Sequence, residues 1–140
     1  MMSSYKSKAA ATWLALALGS LGVHRLYLRG FGDKLAWLHP IPTLVGLYGV
    51  QRMDQFGQDD RLAWVLMPFL GVMLVVGMIS GIVYGLTPDE RWNARWNADK
   101  EPQASGWAAI IGVVFCVFFG GICLMSTIAF SAQRYFESQT

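Results

Sequence analysis

Charge is what this sequence has least of. Charged residues make up 14% of it, against about 25% in an ordinary soluble domain. That is too few to cover a water-soluble globule, so much of the surface is expected to face lipid. The formal net charge is only +2, and no run of lysines and arginines marks a nucleic-acid stripe. Cysteine is almost as scarce. Cys116 and Cys123 share one apolar stretch, where helical geometry sets them ~10.5 Å apart. A disulfide between them is excluded, and both are expected to be small buried hydrophobes. The histidines are His24 and His39 alone. No HExxH pair, no cysteine pair at metal spacing and no glycine-rich phosphate loop occurs. Ser80 and Ser126 have no base near them in sequence. The chain is therefore read as non-enzymatic, with no catalytic residue, no metal site and no cofactor.

Apolar residues are abundant instead: 54% of 140 residues, with fifteen glycines and a mean hydropathy of +0.39. The pattern predicts an all-α integral membrane protein of four transmembrane helices folded as two helical hairpins. The first hairpin is residues 1–61 and the second residues 62–140, forming one compact unit. After a short polar tail, helix one is expected from about Lys8 to Val23, retained rather than cleaved as a signal. Ala11, Ala15, Gly19 and Gly22 give it a flat packing face. A polar turn built from Gly22, His24, Arg25, Tyr27 and Gly30 should lie at the membrane surface, because Arg and Tyr suit headgroup depth and glycine suits reversal. His24 reads as an interfacial polar side chain.

Helix two should run from about Lys34 to Arg52, kinked by His39-Pro40-Ile41-Pro42, with Gly46 and Gly49 approaching helix one. Topology then returns Asp54 to the side of Lys8, an expected ion pair. Helices three and four are expected at about 63–86 and 107–132. Gly77, Gly81 and Gly85, spaced by four, form a packing face. Thr87-Pro88-Asp89-Glu90 reads as a capping box. It opens a short interfacial helix near 88–98 carrying the tandem Arg91-Trp92-Asn93-Ala94 and Arg95-Trp96-Asn97-Ala98. Its Arg91/Arg95 and Trp92/Trp96 ridges suit either a lipid anchor or a docking surface. With four crossings, five cations fall on one side and six on the other, which selects no orientation.

The first fifty-odd residues resemble the two-transmembrane-helix family, the TM-two domain, over roughly residues 6–54. The likeness is carried by Lys6-Ser7-Lys8, Leu18-Gly19 and Gly22-Val23-His24-Arg25-Leu26-Tyr27-Leu28. Leu26 stands where members have Phe, Arg29 where they have Gly, and Asp54 matches the acidic residue after helix two. The resemblance implies a membrane hairpin module without a defined activity. The resulting expectation is a small multi-pass scaffold or accessory protein, in the inner membrane if bacterial. Its partners would be the lipid bilayer, other membrane proteins or copies of itself, and not nucleic acid. A subunit of a small oligomeric channel or transporter is the alternative.

Overall fold

Seven α-helices follow one another in this computed structural model, which describes residues 4–140, and no strand occurs among them. Residues 1–3 of the expected tail lie outside the described part. The helices are α1 (Lys8–Leu18), α2 (Val23–Arg29), α3 (Lys34–Leu38), α4 (Pro40–Phe56), α5 (Arg61–Leu86), α6 (Asp89–Trp96) and α7 (Trp107–Gln139). Two of them, α5 and α7, are long and apolar enough to cross a membrane, where four were expected.

The first expected span is broken by its own glycines. α1 passes into a single 3-10 turn, Gly19–Leu21, and stops at Gly22, whose φ of 76° is left-handed. A Cβ on Gly22 would strike the Ala36 carbonyl oxygen, so only glycine fits. The reversal therefore lies at Gly19–Gly22, before the His-Arg-x-Tyr motif. That motif is itself the returning helix α2, closed by Gly30 at φ 81°. The expected surface turn is thus a helix with a glycine at each end.

The Pro-x-Pro break falls where expected. α3 ends at Leu38 and α4 restarts with Pro40 at its first position, where no N–H is required. The expected capping box does not form. Thr87 Oγ1 donates back to the Val83 carbonyl at 2.6 Å, finishing α5, and α6 starts at Asp89 without a side-chain cap.

α5 is the hub, packing against α7, α4 and α1. α1 covers its C-terminal half: Gly77 abuts Gly19 and Ala15, while Gly81 and Gly85 abut Thr12. α4 covers its N-terminal half: Gly46 abuts Leu70 and Gly49 abuts Leu66 and Met67. Hence α1 and α4 do not form the adjacent pair of a two-helix hairpin, and Gly46 and Gly49 serve α5 rather than helix one. Small residues on both α1 and α5 let those backbones meet, and on α4 Gly46 and Gly49 alone leave room for the larger residues of α5. Thr43 Oγ1 donates to the Ser20 carbonyl at 2.5 Å, joining α4 to the reversal.

Candidate functional site

The polar groups of the chain gather where α1 begins, α2 and α5 end, and α6 lies across them. The repeat in α6 places Trp92, Asn93, Trp96 and Asn97 on one face, by the i, i+4 rule. That face turns inward onto the N-terminal segment. Trp92 is 3% exposed and Asn97 1%. Asn97 accepts from the Lys6 backbone N–H at 2.7 Å and donates to the Lys6 carbonyl at 3.1 Å. The Trp92 indole N–H donates to the same carbonyl at 2.8 Å. Asn93 accepts from the Tyr5 hydroxyl at 2.7 Å and donates to the Gln103 carbonyl at 2.9 Å. The expected outward Trp ridge, a lipid anchor or a docking surface, is therefore corrected: Trp92 is an interior anchor, while Arg91 and Arg95 remain exposed.

α2 completes this cap. Tyr27 accepts from the Ser7 N–H at 2.8 Å through its hydroxyl and from the Lys6 ammonium at 2.6 Å through its carbonyl. Lys8, 7% exposed, donates to Asp89 Oδ1 at 2.6 Å and to the Thr87 carbonyl at 2.8 Å. The expected Lys8–Asp54 pair is replaced by Lys8–Asp89, because α1 starts beside the end of α5 rather than beside the end of α4. The Lys8 hydrogen bond, with those from Ser105, holds the Asp89 carboxyl below its ordinary range. Arg25 pairs with Asp33 at 2.8 Å, and this bond holds the Asp33 carboxyl low as well.

His24 is not interfacial. It is 1% exposed, and neither ring nitrogen has a hydrogen-bond partner among the described residues. Its ring lies 5.8 Å from that of His39 and 5.7 Å from that of Tyr84, centroid to centroid.

Between α2, the end of α5 and α6 lies a cavity of about 390 Å³, bordered by Arg25, Arg29, Arg91, Arg95, Trp92 and Trp96. The Arg29 and Arg95 guanidinium groups sit 6.0 and 5.1 Å from the centre of the Trp96 ring, within cation–π reach. Trp96 in turn packs at 6.0 Å on Trp92. The cavity offers positive charge and N–H donors. Among the described residues no cluster of His, Cys, Asp or Glu is placed to hold a metal ion.

Of the residues singled out in the sequence, His24, Arg25, Tyr27, Lys8 and the Arg-Trp repeat converge here. Gly77 and Gly81 line the α1–α5 seam below, and Asp54 stays exposed and apart. Tyr5, Asn93, Asn97 and Asp89 were missed. The Asn of the repeat was legible, since it recurs at the same spacing as the Trp. No protein-family model matches the chain, and no curated protein or solved structure matches it.

Proposed function

We propose that this chain is a multi-pass membrane protein that acts by binding rather than by catalysis, as an accessory module for other membrane proteins or for copies of itself. The observation that carries the reading is the exposure of α5 and α7. Their most apolar stretches have mean hydropathies of 2.4 and 2.6, yet only 22% of each is buried. The core helix of a water-soluble protein hides such a surface, whereas a bilayer solvates it. Membership of residues 6–54 in the TM-two family belongs to the same proposal. It is supported by the way Lys6, Ser7, Lys8, His24 and Tyr27 serve one local unit.

The topology we infer has three crossings and one re-entrant piece. α1 enters to about mid-depth and α2 returns to the cap. α3 and α4 together cross as one broken helix: Lys34–Phe56 spans ~35 Å at helical rise, against a hydrocarbon core of ~30 Å. α5 and α7 are the other crossings. Broken backbone is tolerated at such depth where it is buried in protein, as Gly19 and Gly22 are. This arrangement puts Lys6, Lys8, Arg25, Arg29, Lys34, Arg91, Arg95 and Lys100 on the cap side. Arg52, Arg61 and Arg134 lie opposite. Eight of eleven cations on one side selects a cytoplasmic cap.

The glycines Gly77, Gly81 and Gly85 are filled from within the chain, so association would use the outer apolar faces. Alkaline extraction of membranes, followed by labelling of single cysteines at Gln58 and Lys100 with an impermeant maleimide, tests the reading. It requires the protein to stay in the pellet and the two positions to label from opposite sides. Release into the supernatant, or labelling from one side, would overturn it.

A further inference from the structure

The arginine cavity at the cap carries charge that the carboxylates of the described residues do not neutralise. Arg25 has Asp33. Arg29, Arg91 and Arg95 have no carboxylate within ion-pair distance among the described residues. Of the acids nearest in sequence, Asp89 is held by Lys8 and Ser105, and Glu90 is exposed with no ion pair among the described residues. Three guanidinium groups around one hollow repel each other unless an anion joins them. The partial negative charge at the end of α5 offsets only about half a unit.

We propose that this cavity binds a phosphate group, and that its source is the headgroup of an anionic phospholipid. Guanidinium forks match phosphate oxygens two at a time, and the Trp96 ring draws Arg29 and Arg95 to the same edge of the cavity. Three uncompensated cations suit a phosphate better than a single carboxylate. Leu28 and Val83 give the cavity an apolar side on which the glycerol and first acyl carbons can rest. The lipid source rests on the membrane reading above, which puts the cap at the cytoplasmic leaflet, where anionic lipids concentrate.

The test uses the full chain in nanodiscs of phosphatidylcholine with or without phosphatidic acid, with bound lipid counted by native mass spectrometry. A parallel titration with inorganic phosphate follows tryptophan fluorescence in detergent. The proposal predicts retention of phosphatidic acid about tenfold over phosphatidylcholine. Arg91→Gln should weaken that preference severalfold, and the triple Arg29→Gln, Arg91→Gln, Arg95→Gln variant should lose it. Arg→Lys at the same positions should restore only part, because the charge returns without the fork. Equal lipid retention by the wild type and a triple variant of unchanged helix content would overturn the proposal. If the triple variant misfolds, the exposed Arg91→Gln decides alone. Tight inorganic phosphate binding without lipid preference would move the source to free phosphate and overturn the lipid assignment. Phosphate binding by a protein that fails to enter nanodiscs would sink the membrane reading and keep the site.

Discussion

Gly19 and Gly77 meet backbone to backbone: a Cβ on Gly19 would lie 2.6 Å from the Gly77 Cα, and one on Gly77 would lie 2.9 Å from the Gly19 Cα. The seam between the reversal after α1 and the middle of α5 therefore admits no side chain from either partner. This contact belongs to one chain, so the glycine face of α5 is part of the fold rather than a surface for assembly.

Gly77→Ala and Gly19→Ala should each cost about 1–3 kcal/mol, because neither backbone can yield to an added methyl without opening the seam. Gly121→Ala is the control. A Cβ there meets nothing within 4 Å, and alanine favours the helix by about 0.5–1 kcal/mol. Thermal unfolding in detergent should show Gly77→Ala and Gly19→Ala below the wild type and Gly121→Ala at or above it. A Gly77→Ala protein that melts like the wild type but changes its oligomeric size would place this face between chains.

Lys8 and Asp89 are not symmetrical partners. Lys8 is 7% exposed and its carboxylate partner 37%. Removing Asp89 leaves a buried ammonium with only the Thr87 carbonyl, whereas removing Lys8 leaves a carboxylate that still has Ser105 and water. Asp89→Ala should accordingly destabilise more than Lys8→Met, by about 1–3 kcal/mol. Equal losses in the two variants, measured by thermal unfolding, would count against the buried position of Lys8.

His24 fills a closed site by packing, since neither ring nitrogen is bonded among the described residues and the ring lies against those of His39 and Tyr84. His24→Phe keeps the volume and should cost less than about 1.5 kcal/mol. His24→Ala leaves a cavity and should cost about 2–5 kcal/mol. Thermal unfolding in detergent compares the two, and equal losses in both variants would mean that the ring is held by polar contacts instead.

The long elements were legible because hydropathy is a local signal. The limits of α5 and the start of α7 follow from uninterrupted apolar runs, and the break at Pro40 follows from the missing N–H. What escaped was set by partners far away in sequence. Asn97 holds the backbone of Lys6 across 91 positions and Lys8 meets Asp89 across 81. Nothing near either residue announces the other. Tryptophan suits both a lipid interface and a docking surface, which is why the ridge is expected to face outward, but Asn93 and Asn97 at the same spacing mark a face that satisfies buried backbone. The glycines around the His-Arg-x-Tyr stretch predict a turn. The glycines are real reversal points, yet the seven residues between them have no helix breaker and form α2. The His24 burial could not be read from a single polar residue beside a bend.

The most direct measurement is the solvent environment of the outer faces of α5 and α7. Spin labels at Val72 and Phe118, exposed by 51% and 60%, would be introduced in a background with Cys116 and Cys123 replaced by alanine, and the protein reconstituted in vesicles. The account predicts that both labels relax with oxygen and not with a water-soluble nickel chelate. Strong relaxation by the nickel chelate at both positions would show these faces in water and contradict the account.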